Sequence, residues 1–125
     1  MLNKYVVEDS KLGYSLYRVY NNSDDDEAWY LDDLKKNGRV VIHVNRTTGK
    51  MYITFLKRKR NYFRREVLKE GIKEVVLLLA EDGVTPQVKV NYYDNPTLYT
   101  FLKINGFKKS VIKGILYFPI NKKFK

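Results

Sequence analysis

The sequence predicts an α/β (α+β) fold, a mixed sheet flanked by helices in a single domain, and three observations predict it. From about Arg64 to Asp82 apolar residues recur at three- and four-residue intervals, the signature of an amphipathic helix. Segments of alternating polarity lie on both sides of it, Tyr14 to Tyr20 ahead and Gln87 to Tyr93 behind, and these have the period of strands. At 125 residues, 44% of them hydrophobic and 30% charged, the chain can bury one core, is too apolar to stay disordered and has no room for a second domain.

Each element follows in order. Tyr14, Leu16, Arg18 and Tyr20 share one face of the first strand, with Ser15, Tyr17 and Val19 on the other. Asn21 and Asn22 end it. Ser23 is a good helix N-cap, and Asp24, Asp25, Asp26 and Glu27 fill the turn behind it, where the helix dipole favours negative charge. A helix to about Lys36 is therefore expected, closed by Gly38 and carrying Trp29 as a packing anchor. Val40 to Val44 reads as a strand, Arg46 to Lys50 as an exposed turn and Met51 to Leu56 as the return strand of a hairpin.

In the long helix Val67, Leu68, Ile72, Val75, Val76 and Leu79 form the stripe, Gly71 is its small member and Gly83 its C-terminal cap. Gln87 to Tyr93 puts Val88, Val90 and Tyr92 on one face. Asn95 then pairs an N-cap with Pro96 in the first helical position, opening a short helix that runs to Asn105 and stops at Gly106. Ile115 to Ile120 is the last strand. Helices alternating with strands in this half require at least one parallel crossover.

Composition excludes several chemistries. With no cysteine there can be no disulfide, thiolate metal site or cysteine nucleophile, and a single histidine, His43, rules out a multi-histidine metal centre; no metal is expected. The longest strictly apolar run, Val75 to Ala80, falls far short of the roughly 20 residues of a membrane span. Met1 to Ser10 carries Lys4, Glu8 and Asp9 and lacks a signal peptide's apolar stretch, so a cytoplasmic protein with no membrane partner is expected. Abundant tyrosine, lysine and asparagine fit an AT-rich coding genome, bacterial or phage. Lysine plus arginine number 24 against 14 acids, a net charge of +10, which favours nucleic acid, a phosphate-bearing cofactor or an acidic protein surface.

The C-terminal half resembles the GNAT (Gcn5-related N-acetyltransferase) superfamily. Asn95, Leu98, Phe101, Gly106 and Phe107 in NPTLYTFLKINGF fall at the spacing of that family's pattern, in which an asparagine ends the fifth strand and the following helix closes with Gly-Phe. The resemblance covers residues 39 to 120 and implies a short, divergent GNAT-like domain with a mixed, mostly antiparallel sheet. It implies acetyl-CoA held between the strand Met51 to Leu56 and the strand Gln87 to Tyr93, where the family's sheet splays. It also implies a pyrophosphate loop before the long helix, built on glycines because a side chain would fill the phosphates' space.

The residues depart from the family at both places where its chemistry lies. The stretch Lys57 to Arg65 contains no glycine. Aligned on Arg60, it puts Phe63 and Arg65 at the glycine positions, so Arg60, Phe63, Arg64, Arg65 and Asn95 become the candidate cofactor-binding set, with side chains replacing backbone donors. The family's general-acid tyrosine lies four residues before the closing glycine, and Leu102 occupies that position. Tyr99, three residues earlier, is the remaining candidate acid. For the base, His43 and the acids of the first expected helix are the candidates.

Two functions from different classes follow. One is an acetyl-CoA-dependent N-acyltransferase with Tyr99 and His43 as catalytic candidates. The other is a GNAT-like scaffold without catalysis, binding nucleic acid or an acidic protein through a basic face made by Lys57, Arg58, Lys59, Arg60 and Tyr62 with Lys108 and Lys109. Plainer readings stand beside each. The basic run also suits a solvated loop with Phe63 under the helix, and His43 suits a hydrogen-bonded or surface strand histidine. The acids Asp24 to Glu27, Asp32 and Asp33 suit an exposed helix face, although they could also receive an amine or a basic protein. Tyr92 and Tyr93 suit ordinary strand aromatics.

Overall fold

The computed structural model describes residues 6–20, 25–56 and 63–120. In chain order they form β1 (Val6–Asp9), β2 (Tyr14–Tyr20), β3 (Asp26–Asp33), β4 (Gly38–Asn45), β5 (Lys50–Phe55), α1 (Arg65–Glu81), β6 (Gln87–Lys89), α2 (Pro96–Ile104), β7 (Lys108–Lys109) and β8 (Ile115–Tyr117). The strands make one sheet in the order β1-β2-β3-β4-β5-β6-β8-β7. Every pairing is antiparallel except that of β5 with β6, which α1 connects. The mixed α+β class expected from the sequence is the class observed, and β5-α1-β6 is the expected parallel crossover.

Strand alternation sorts the sheet into two faces. Register brings Leu16 level with Leu31 and Val40, and Val44 level with Met51, Val88 and Leu116, all of them buried. On this face α1 lays Val67, Leu68, Ile72, Val75, Val76 and Leu79, while α2 adds Leu98 and Leu102 to the same core cluster. Each fully buried aliphatic contributes roughly 2 kcal/mol, which outweighs the few tenths that helix propensity offers per residue. The opposite face carries Tyr17, Tyr30, His43, Tyr52 and Lys89, and among its described strand residues only Ala28 and Val41 are buried.

One expected element is overturned. Residues expected as a helix from Ser23 to Lys36 instead include β3, paired on both sides by β2 and β4; Ser23 itself lies outside the described residues. Glu27, Trp29, Leu31 and Asp33 alternate with Ala28, Tyr30 and Asp32, a strand period that the run of acids disguises. Burying Trp29 and Leu31 contributes roughly 2 kcal/mol apiece, whereas acids in a helix's first turn gain under about 1 kcal/mol each. Trp29 is the packing anchor expected, but on a strand. Gly38 begins β4 after Asn37, which takes the left-handed turn conformation at φ 55°, and so it caps no helix.

The other elements follow the sequence more closely. The α1 stripe is the predicted one, and Gly83 follows the Asp82 C-cap with its N–H on the Ala80 carbonyl. Asn95 caps α2 by accepting the Leu98 N–H at 3.1 Å, with Pro96 behind it. Two strands are shorter than expected: β6 ends at Lys89, so Tyr92 and Tyr93 sit in a turn, and β8 ends at Tyr117. The short edge strands β1 and β7 are additional. No helix among the described residues is long and apolar enough to cross a membrane.

Candidate functional site

The sheet's one parallel ladder is two residues long. Lys50 pairs with Gln87 and Met51 with Val88, and the Gln87 N–H donates to the Gly49 carbonyl at 2.8 Å. Beyond that point β5 runs on beside β4 alone, while the Val90 N–H turns to the Gly114 carbonyl on the β8 side. The two strands therefore part. Each then leads into a helix: β5 through residues 57–62 into α1, β6 through Asn91–Asn95 into α2. A hollow of about 450 Å³ is lined by Arg65 of α1 and by one side of α2, from Pro96 and Thr97 through Phe101 to Ile104 and the C-cap Asn105.

The start of α1 is fixed by a buried carboxylate from the end of β3. Asp33 accepts the Arg64 backbone N–H at 3.0 Å and the guanidinium through Nε at 2.9 Å and Nη2 at 2.9 Å. Arg64 also donates to the carbonyls of Leu12 at 2.7 Å and Gly13 at 3.2 Å. Burial pushes the Asp33 carboxyl upward, but hydrogen bonds from Arg64 and from the Lys36 backbone, with the Arg64 charge, outweigh it and hold it below the usual carboxylate value. The same carboxylate raises the already high Arg64 pKa.

Of the predicted cofactor set, then, Arg65 is exposed and lines the hollow, and Asn95 caps α2 beside it. Arg64 turns inward to Asp33, and Phe63 is half-buried against the core. Arg60, with Lys57, Arg58, Lys59 and Tyr62, lies outside the described residues. Lys108 and Lys109 are exposed on β7 at the sheet's far edge.

The catalytic candidates are not brought together. Leu102 is wholly buried. Tyr99 stands edge-on to Tyr92, ring centroids 5.7 Å apart, and lines a different hollow of about 260 Å³ with Tyr93, Lys109 and Lys113. His43 is exposed on the uncovered sheet face, in a third hollow of about 260 Å³ with Asp26, Asn45, Lys50 and Tyr52. The acids read as a helix face spread instead over β3 into separate pairings. Asp32 holds Arg39 through two bonds of 2.6 and 3.0 Å. Glu27, buried, sits between Arg18 at 3.7 Å and Arg46 at 3.5 Å and accepts the Trp29 indole N–H at 3.2 Å. Arg46 also reaches Asp82 at the end of α1.

Sequence reasoning missed a further group. Lys50, Lys89 and Lys113 line a hollow of about 300 Å³ with Tyr52 and Gln87 on the uncovered face. Strand alternation places Lys50 and Lys89 on a common face once the parallel pairing is known, but nothing local brings Lys113 to them. Among the described residues no three His, Asp or Glu side chains are grouped to hold a metal ion. Compared with protein-family models, with curated proteins and with solved structures, the chain gives no match.

Proposed function

We propose that this chain is a GNAT-like domain that binds acetyl-CoA, or a close acyl-CoA, where β5 and β6 part. One observation carries the reading: the only parallel ladder of the described sheet lasts two residues, and beyond it β5 stays with β4 while the Val90 N–H turns to the Gly114 carbonyl. Open sheets admit nucleotide ligands in the crevice beyond the carboxyl ends of parallel strands. The order of elements from β4 on, a hairpin, a long amphipathic helix, a strand, a capped short helix and two short strands, is compatible with the resembled family.

The residues fit such a ligand in chemistry. Arg65 supplies a cation at the hollow, and since the Val67 and Leu68 N–H groups already donate to the Arg64 carbonyl, the backbone N–H groups of Arg65 and Glu66 are the donors left for phosphate oxygens. Phe63 packs toward the core, so its ring does not close the helix start. When bound, the thioester supplies an activated acyl carbon. The chain supplies little acid catalysis for its transfer, because Leu102 is buried at the position of the family's tyrosine and Tyr99 lines another hollow. Binding with slow turnover is the activity expected.

Titration calorimetry with acetyl-CoA tests this. A micromolar dissociation constant weakened by Arg65→Glu is the expected result. No heat at millimolar ligand sinks the proposal.

A further inference from the structure

Two hollows meet over the loop Ser110–Gly114, because Ile112, Lys113 and Ile115 line both. One lies on the uncovered face of β5, β6 and β8 and carries Lys50, Lys89 and Lys113; the other carries Lys109 and Lys113. No Asp or Glu lines either one. Among the described residues none of these four lysines is ion-paired, whereas Arg18, Arg39, Arg46 and Arg64 all are. These four arginines are thus held in pairs, while Lys50, Lys89, Lys109 and Lys113 are exposed.

Tyrosines line the same two hollows. Tyr52 is 55% exposed at one end. At the other, Tyr92 and Tyr93 are 53% and 91% exposed, and Tyr92 touches the rings of both Tyr93 and Tyr99 edge-on. A ring as exposed as Tyr93 gains little from packing and offers an open π face. Exposed cations for phosphates and exposed aromatic faces for bases are the two components of a single-strand binding surface. A duplex keeps its bases stacked inside and could use only the lysines.

We infer that this lysine and tyrosine track binds single-stranded nucleic acid, with Lys50, Lys89, Lys109 and Lys113 on phosphates and Tyr52 and Tyr93 stacked on bases. The footprint is short. Past Tyr52 the surface meets the exposed Asp26, which borders the neighbouring hollow and repels a phosphate backbone. The inference stands apart from the acyl-CoA reading, since none of these side chains lines the hollow at Arg65 and α2.

Fluorescence anisotropy with a labelled single strand of about a dozen nucleotides, titrated at several salt concentrations, tests it. Binding should weaken as salt rises. The Lys50→Ala/Lys89→Ala/Lys113→Ala variant should lose about 100-fold or more in affinity and flatten the salt slope by about two, each phosphate contact accounting for roughly 0.7. Tyr93→Ala should weaken binding about tenfold and leave the slope unchanged, as expected for a lost stacking partner. All four positions are exposed, so folding, followed by circular dichroism, should not change. No binding at low salt overturns the inference. So does a triple variant that binds like the parent, which would move the contact to the basic run at residues 57–62. Equal affinity for duplex, or displacement of the strand by an equal charge of polyglutamate, also overturns it.

Discussion

Asp33 and Arg64, 31 positions apart in sequence, are joined by the guanidinium and by the backbone N–H of Arg64 at once. The pair pins the first residue before α1 to the last residue of β3, and so fixes where the helix begins on the sheet. The Asp33 side chain is fully buried. Removing its charge leaves the Arg64 guanidinium with only the exposed Glu66, 3.9 Å away, as counter-ion. Asp33→Asn is expected to cost about 3 kcal/mol, read as a lower urea midpoint with an unchanged slope.

The same pair predicts a pH dependence with a definite sign. The folded Asp33 carboxyl titrates below its ordinary 3.8 because the bonds and charge of Arg64 outweigh the effect of burial. Above 3.8 both folded and unfolded forms are ionised and the full stabilisation is present. As pH falls below 3.8 the unfolded chain takes up the proton first, and the stabilisation is lost as pH passes through the lower folded value. Unfolding midpoints measured from about pH 7 to about pH 2 should fall less steeply at the acid end in Asp33→Asn than in the parent. Equal acid slopes would show that Asp33 is not the group responsible.

How far the sequence reveals this architecture depends on whether a signal is local. The α1 stripe, the Asn95-Pro96 start of α2 and the β4-β5 hairpin are written in adjacent residues, and they form as read. β3 is not, because four consecutive acids look like a helix start when only neighbours are weighed. Its strand state comes from pairing with β2 and β4 and from the burial of Trp29 and Leu31 under α1. The candidate site divides the same way. The Asn95 cap of α2 is written in the Asn-Pro pair itself. That Arg64 belongs to Asp33, and that Lys113 lies beside Lys50 and Lys89, depends on contacts between distant segments.

Glu27 forms a second buried junction, at the opposite end of α1 from Arg64. It lies between Arg18 and Arg46, and Arg46 extends the link to Asp82 at the helix C-cap. Glu27→Ala should destabilise the protein by about 3 kcal/mol, because two guanidinium groups then face each other across a carboxylate-sized gap. A double-mutant cycle with Arg46→Ala should return a coupling of at least about 0.5 kcal/mol. Strict additivity would mean that Arg46 serves Asp82 alone.

Gly71 faces Leu31 at the closest approach of α1 to the sheet, and a Cβ there would overlap the Leu31 methyl groups. Alanine is the better helix former by about 1 kcal/mol, so propensity alone predicts stabilisation. Leu31 is wholly buried and has little room to move. Overpacking of about 1 to 3 kcal/mol should win, and Gly71→Ala should lower the melting temperature. Leu31→Val should be less costly in the Gly71→Ala background than alone, since it removes part of the overlap.

Arg64 and Arg65 are neighbours of the same charge with opposite surroundings, which allows stability and binding to be separated. Arg64 is committed to Asp33, Leu12 and Gly13, whereas Arg65 is exposed at the hollow beside α2. Arg64→Ala should lower the urea midpoint through loss of the buried partner, with any change in acetyl-CoA affinity following the loss of folded protein. Arg65→Glu should leave the midpoint within about 0.5 kcal/mol of the parent, as for other surface changes. Its acetyl-CoA affinity should fall about tenfold, because a carboxylate would replace the cation beside the phosphates. If Arg65→Glu instead binds acetyl-CoA as the parent does, the ligand does not approach the start of α1, and the gap between β5 and β6 must be read without it.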